Sequence, residues 1–180
     1  MLIAPIILGV LALLLIAIYN SLVGKRNKVR NSWGQIDVQL KRRFDLIPNL
    51  VETVKGYAAH ERSTFEQVTQ ARTKYLSAST PGDMMKANGE LSQVLGRLFA
   101  VAEAYPELKA NTNFLELQES LSKTEDKISF ARQFYNDVVM DYNNSVQMFP
   151  SSFVAALFGF REEPFFNADE SEKEAPTVKF

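Results

Sequence analysis

The sequence contains no cysteine and only one histidine, His60. The lack of cysteine excludes disulfide bonds, thiolate metal sites, iron–sulfur clusters and cysteine nucleophiles. A zincin motif needs two histidines four residues apart, so it is excluded too. Eight glycines and seven prolines in 180 residues exclude a collagen-like or glycine-rich chain. Because His60 stands beside Glu61, we interpret it as an exposed or capping histidine rather than a general base.

Catalytic signatures are missing from the sequence as well. It has no Walker loop, no GxSxG elbow and no dinucleotide fingerprint. Glu125 and Asp126 are adjacent, so they point in different directions from a helix and are interpreted as solvated acids. Arg42, Arg43 and Asp45 either face water or form a buried polar network, and the rarity of buried charge favours the surface or contact with lipid headgroups. We therefore predict that the chain is not an enzyme and needs no cofactor or metal.

Charged side chains are absent from the first 24 residues, and polar ones are absent from Leu2 to Ile18. A helix rises about 1.5 Å per residue and the hydrocarbon core is about 30 Å thick, so residues 2–23 are just long enough to span it. No basic segment precedes the run and no small-x-small site ends it, which disfavours a cleaved signal peptide. A buried core helix rarely lacks every polar residue over such a length. We predict a retained transmembrane helix at residues 2–23.

A basic cluster follows this segment directly, and residues 25–43 hold seven basic side chains against one acid. The positive-inside rule then predicts a single-pass membrane protein with the N-terminus outside and the rest on the cytoplasmic side. Basic residues near anionic headgroups contribute about 1 kcal/mol each. We therefore predict contact with the lipid bilayer and no nucleic-acid partner. The predicted membrane-interface residues are Lys25, Arg26, Lys28 and Arg30.

The first half of the remaining chain has apolar residues three or four positions apart, as in amphipathic helices. Pro48 lies within the first stripe, and we expect it to bend that helix without ending it. A second stripe, from Phe65 to Tyr75, either continues the first helix or begins another. Residues 79–83 form a clear break. The first stripe comprises Val29, Trp33, Ile36, Leu40, Phe44, Ile47, Val51, Val54 and Ala58.

Helical spacing resumes at residues 83–105 and again from Phe114 to Phe149. Asn113, with Glu116 three residues later, is predicted to cap the last long helix. No alternating stretch supports a β-sheet. The predicted fold is all-α: a single transmembrane helix that continues into an elongated antiparallel bundle of long helices, over residues 24–149.

The segment 150–166 is rich in aromatic residues, and six of the 13 phenylalanines lie between positions 149 and 166. We predict a short helix that begins at Ser151 or Ser152 and ends near Gly159. The segment either folds back onto the bundle or presents a surface for a partner or for self-association. Residues 167–180 are predicted to form an acidic linker and an extended C-terminus. The candidate surface residues are Phe153, Leu157, Phe158, Phe160, Phe165 and Phe166.

Long phrases of the chain occur in a familiar order. They are NSLVGKRNKVRNSWGQIDVQLKRRFDLIPNLVETVKGYAAHE (20–61), ARTKY (71–75), EAYPELKANTNFLELQESLSKTEDKISFARQFYNDVVMDYNN (103–144) and FPSSFVAALFGF (149–160). Across essentially the whole chain they closely resemble the LemA family, and the magnetosome protein MamQ looks similar. The resemblance implies a protein of the bacterial cytoplasmic (inner) membrane with an N-terminal transmembrane helix and long cytoplasmic helices. The family has no established enzymatic activity, so the resemblance supplies no catalytic residues.

Two functions follow as expectations. The first is a membrane-anchored, non-catalytic scaffold that self-associates into a homo-oligomer through its amphipathic helices and aromatic tail. The second is an adaptor or regulator of another membrane protein. The resemblance names an HtpX-like membrane zinc protease as the candidate partner, because LemA-like proteins are often associated with such proteases.

Overall fold

The computed structural model describes residues 3–166, and these form six α-helices without a β-strand in that range. The all-α prediction is confirmed. The linker and extended end predicted at residues 167–180 lie outside the described residues. The helices are α1 (Ile3–Lys55), α2 (Arg62–Ser77), α3 (Pro81–Glu103), α4 (Pro106–Lys109), α5 (Thr112–Gln147) and α6 (Ser151–Phe158).

Helix α1 runs through Pro48 without ending there, as predicted. Its predicted apolar stripe is confirmed, since every member is buried except Trp33, which is half-buried. Helix α1 ends just before Gly56, where the Tyr57 amide donates to the Val54 carbonyl at 3.0 Å. This three-residue bond tightens the last turn and closes the helix. The second stripe is therefore a separate helix, α2.

The starts of α3 and α5 show how polar side chains open helices. The Thr80 hydroxyl accepts the Asp83 amide at 3.2 Å, within the predicted break before α3. At α5 the cap is Asn111, whose Oδ1 accepts the Phe114 amide at 3.0 Å. The prediction that Asn113 caps this helix was wrong, because Asn111 reaches the free amide three residues on and the helix already includes Asn113.

The described chain forms two compact units. The first unit contains the described residues up to Ile36 together with Ala131–Phe166, and the second contains Asp37–Phe130. Helices α1 and α5 each contribute one part to both units, whereas α2, α3 and α4 belong only to the second.

The second unit is built from helices packed on helices. The ring of Phe44 on α1 stacks on Tyr75 of α2 at 3.7 Å, and Phe99 of α3 meets Phe114 of α5 edge-on at 6.4 Å. The residues enclosed by these contacts are almost all apolar. They include Leu40, Ile47, Leu50, Val54, Val68, Leu91, Leu98, Leu108, Leu121 and Ile128.

The first unit pairs α1 and α5 in antiparallel directions. Lys25 contacts Asp141 at 2.7 Å, while Trp33, further along α1, contacts Tyr135 at 5.7 Å between ring centroids. Helix α6 follows α5 and ends at Gly159, which has a left-handed backbone with φ of 71°. Glycine adopts this conformation without a Cβ clash, which confirms the predicted end of the short helix.

The apolar part of α1 stays outside the protein core. Among the described residues, α1 is the one helix long and apolar enough to cross a membrane, and only 6% of its apolar window is buried. The core helix of a water-soluble protein would be mostly buried. Length, composition and exposure together fit a membrane protein with a single candidate N-terminal span.

Candidate functional site

The apolar segment of α1 meets the rest of the first unit near Tyr19. Residues before this point are exposed apart from the half-buried Ile18, and Leu22 is the first fully buried residue of the helix. The Tyr19 ring lies 4.8 Å from Phe158 and 5.7 Å from Phe160, measured between ring centroids. The end of α6 therefore lies beside the end of the apolar segment.

The four predicted membrane-interface residues have different surroundings. Lys25 donates to Asp141 and to the Ser145 hydroxyl, both at 2.7 Å. The Arg26 guanidinium lies 4.8 Å from the centroid of the Phe160 ring, in a cation–π contact. Lys28 and Arg30 are exposed. Lys25 and Arg26 thus hold α1 to neighbouring elements, and contact of the four with lipid stays a prediction.

After Gly159 the chain becomes extended, and we call residues 161–166 the C-terminal strap. It is fixed to α5 through its main chain at two levels. At the first level the Tyr142 hydroxyl donates to the Arg161 carbonyl at 2.9 Å. The Asn143 amide group donates to the Glu163 carbonyl, and its oxygen accepts the Glu163 amide, both at 2.9 Å. One asparagine therefore satisfies both polar groups of one peptide residue.

The second level repeats this arrangement one heptad earlier on α5. The Tyr135 hydroxyl donates to the Pro164 carbonyl at 3.0 Å. Asn136 donates to the Phe166 carbonyl at 3.0 Å and accepts the Phe166 amide at 2.8 Å. Residues seven apart lie on one face of a helix. We call the four side chains that hold the strap, Tyr135, Asn136, Tyr142 and Asn143, the clamp. The clamp was not predicted from the sequence, and its signal there is the repeated Tyr–Asn pair.

The six predicted surface residues fall into a buried group and an exposed group. Phe160 and Phe166 are buried, and Phe166 lies 6.3 Å from Trp33 and 5.8 Å from the Arg132 guanidinium. A buried ring cannot also line an exposed surface, so these two residues anchor the strap and leave the candidate surface. The exposed members are Phe153, Leu157, Phe158 and Phe165, and their role in binding a partner stays a prediction.

Two tyrosines of the clamp keep their protons well above neutral pH. Burial, with the nearby charge of Glu163, raises the pKa of Tyr135 to about 12. Burial and Glu163 also raise the pKa of Tyr142, although Arg26 and Arg30 act in the opposite direction. Both hydroxyls therefore remain donors to the strap at physiological pH.

A second polar cluster lies in the core of the second unit. Arg43 is 3% exposed; it donates to Asn88 Oδ1 at 2.5 Å and to the Ser92 hydroxyl at 3.0 Å, and it pairs with Glu125. The prediction that Arg43 faces water was wrong, because α3 and α5 supply partners that offset its desolvation. Glu125, at 46% side-chain exposure, lines a cleft of about 450 Å³ together with Arg43 and Phe99. The cluster joins α1, α3 and α5.

Neither the clamp nor the Arg43 cluster has the composition of a metal centre. Within residues 3–166, no group of three or more histidine, aspartate or glutamate side chains is placed to hold an ion. His60 is exposed in the turn between α1 and α2. The prediction that the chain needs no cofactor stays a prediction.

The family model described as "LemA family" matches residues 32–180. The chain belongs to the LemA family. The matched LemA region contains the Arg43 cluster and both Tyr–Asn pairs, whereas Tyr19, Lys25 and Arg26 precede it. The resemblance to the LemA family seen in the sequence is therefore confirmed.

Three curated relatives illustrate the range of this LemA chain's similarities. The magnetosome protein MamQ 2 of Paramagnetospirillum magneticum is 27% identical over 82% of this chain and 64% of its own length. The magnetosome protein MamQ of Magnetospirillum gryphiswaldense is 25% identical over 83% of this chain and 64% of its own. Protein LemA of Metamycoplasma hominis is 25% identical over 86% and 71%. The chain thus spans about 64% of the length of these MamQ relatives.

Proposed function

We propose that this LemA-family chain is a non-catalytic scaffold, anchored by α1 in the bacterial inner membrane, that self-associates on the cytoplasmic side. One observation carries the proposal: the apolar segment of α1 is left outside the protein core, with only 6% of its apolar window buried. Apolar surface in water costs about 25 cal/mol per Å². A bilayer removes that cost for a helix of this length.

The charge of α1 supports the proposed orientation. Four basic residues follow the apolar segment within about two turns, and Lys28 and Arg30 expose their side chains. Basic residues concentrate on the cytoplasmic side of membrane spans. The parts of both units that follow α1's apolar segment are therefore proposed to lie in the cytoplasm.

The absence of cysteine allows a direct test of this orientation. Gln133→Cys introduces a single thiol on the exposed side of α5. In spheroplasts, a membrane-impermeant maleimide should label this thiol only after lysis, whereas a cysteine added before Met1 should react at once. Labelling of position 133 in intact spheroplasts would contradict the cytoplasmic orientation.

Self-association is supported by two exposed aromatic residues in the first unit. Phe134 is exposed on α5, and Phe165 is exposed on the strap between Pro164 and Phe166, which bond to Tyr135 and Asn136. Both rings therefore belong to the same level of α5. Exposed aromatic rings are candidate contact points between copies of a protein. Copies anchored in one bilayer share an orientation, so a second copy can cover these rings in a cyclic oligomer.

The oligomeric state tests the scaffold. The intact chain in mild detergent, measured by size exclusion with light scattering, should have a protein mass that is a multiple of 20.3 kDa. Phe134→Glu should lower that mass, while Gln133→Glu, which adds the same charge one residue away, should leave it unchanged. A monomeric intact chain at micromolar concentration would contradict self-association.

An adaptor role is the second candidate, and the exposed face of α6 beside the end of the apolar segment supports it. A membrane protein, with an HtpX-like protease as the candidate, would meet this face near the bilayer. Co-purification should then recover the partner with the intact chain and lose it with Phe153→Glu. Equal recovery with both chains would remove α6 from such a role.

A further inference from the structure

Helix α6 exposes an apolar face that no part of the described chain covers. Phe153 is 66% exposed, Leu157 64% and Phe158 55%, whereas Val154 and Ala155 on the other side are buried. Phe153 and Leu157 are four residues apart and so share one face of the helix. Met148 and Phe149, just before α6, are exposed as well.

The position of this face relative to α1 is fixed by ring contacts within the first unit. Phe158 lies 4.8 Å from Tyr19, at the level where the exposed run of α1 ends and the buried run begins with Leu22. The exposed side of α6 therefore adjoins the apolar segment of α1 at Phe158. Whatever surrounds the apolar segment as far as Tyr19 reaches this end of α6.

The composition of the segment favours lipid as the occupant of this face. Residues 148–160, MFPSSFVAALFGF, contain no charged side chain, and the first charged residue after them is the exposed Arg161. Tyr19 with the rings around it resembles the aromatic belt of membrane spans, and Lys28 and Arg30 follow on the side away from the apolar segment. This order of apolar, aromatic and basic residues matches that of a membrane interface.

We propose that α6 is a second membrane contact, which lies in the interface with Phe149, Phe153 and Leu157 immersed in the bilayer beside α1. The inference rests on the proposed anchoring by α1. It assigns the lipid surface, rather than a protein, to the exposed face of α6. Of the exposed tail residues, only Phe165, held on the strap at the level of Phe134, then remains for self-association.

Site-directed spin labelling tests this proposal, because the cysteine-free chain carries no background thiol. Four full-length variants each receive one nitroxide: Phe153→Cys and Leu157→Cys on α6, Leu11→Cys in the apolar segment, and Leu76→Cys on α2. All four positions are exposed, so the label replaces no core side chain. The proteins are placed in phosphatidylcholine–phosphatidylglycerol vesicles, and collision with oxygen is compared with collision with a water-soluble nickel chelate.

Labels at 153 and 157 should collide more with oxygen than with nickel, as should the label at 11, whereas the label at 76 should show the reverse. If 153 and 157 behave like 76 while 11 stays lipid-exposed, the anchor stands and the proposal for α6 fails. If 153 and 157 are immobile and reach neither reagent, a protein covers them, and the proposal also fails. If the label at 11 is aqueous too, the anchoring by α1 fails and α6 with it.

Discussion

The two units cover the same pair of long helices in different ways. In the second unit, α1 and α5 are covered by helices α2 and α3, and the contacts are mainly between apolar side chains such as Phe44 and Tyr75. In the first unit, the covering element is the extended C-terminal strap, which is held by hydrogen bonds from Tyr142, Asn143 and their counterparts one heptad earlier.

This difference follows from where each covering element finds its backbone hydrogen bonds. A helix satisfies its own N–H and C=O groups, so only its side chains need a fit with the neighbour. An extended segment leaves those groups open and needs partners from outside. Asparagine supplies a donor and an acceptor from one side chain. Polar residues on α5 therefore take the role in the first unit that apolar residues take in the second.

The largest expected effect would test whether the second unit depends on its one buried charge. Arg43→Ala should lower the free energy of unfolding by about 3 kcal/mol, because it removes the partner of buried Asn88 and leaves a cavity. Arg42→Ala, at the exposed neighbouring position, should change it by less than about 0.5 kcal/mol. Urea unfolding of detergent-solubilised protein, followed by far-UV circular dichroism, measures both.

A matched replacement sharpens this result. Replacing both polar partners with apolar residues of similar size is often neutral, so Arg43→Met with Asn88→Leu should recover part of the stability lost in Arg43→Ala. If Arg43→Ala is as stable as Arg42→Ala, the buried cluster does not stabilise the second unit.

The next largest effect concerns the strap of the first unit. Asn143→Ala removes both hydrogen bonds to Glu163, and a local loss of about 1.4 kcal/mol should raise opening of the strap about tenfold. Trypsin cleaves after Arg161, so mass spectrometry of the released fragment measures this opening. Asn144→Ala changes an exposed asparagine one residue further on and should leave the rate unchanged. Equal cleavage of the two variants would show that the clamp does not hold the strap.

The sequence predicted the helices of both units because their evidence is local. The three- and four-residue steps from Val29 to Ala58 define one buried face, and Gly159 marks the end of α6 by its own conformational freedom. The polar contacts depended on distant partners. Arg43 is buried because α3 and α5 bring Asn88 and Glu125 to it. Both partners are far from Arg43 in the sequence, so no local pattern predicts these contacts.

The candidate site was likewise predicted only in part. Phe153 is exposed and Phe166 is buried because only Phe166 packs against α1 and α5. The sequence shows both only as phenylalanines in an aromatic segment, so it could not distinguish them. The Tyr–Asn pairs were overlooked because polar residues on a helix usually face water. Their heptad spacing becomes meaningful only when an extended segment is known to lie along that face.

Alkaline pH should loosen the first unit in a defined range. The pKa of Tyr135 is raised to about 12 in the fold, above the ordinary value of 10.0, by burial and by Glu163. Because the pKa is higher in the fold than in the unfolded chain, the contribution of this tyrosine to stability is fully present below pH 10. It is lost as the pH rises towards 12, since the phenolate cannot donate a hydrogen bond to the Pro164 carbonyl. The melting temperature, followed by circular dichroism, should fall over this range.

Tyr135→Phe serves as the control for this titration. It should cost about 1 kcal/mol at neutral pH through the lost hydrogen bond. Because its ring does not ionise, its melting temperature should fall less between pH 10 and 12 than that of the unmodified chain. Parallel curves for the two proteins would assign the alkaline loss to other groups.

The smallest expected effect concerns ion pairs on the surface of each unit. The Lys25–Asp141 pair in the first unit and the Lys74–Glu90 pair in the second have N···O distances of 2.7 Å and 2.5 Å, and both include a well-exposed side chain. Exposed pairs contribute less than about 1 kcal/mol, since water and salt screen them. Double-mutant cycles to alanine should therefore give small coupling energies in both units, and these should shrink further at high salt. A large, salt-insensitive coupling energy for the Lys25–Asp141 pair alone would contradict this expectation. It would show that the first unit is stabilised by this ion pair as well as by the hydrogen bonds to the strap.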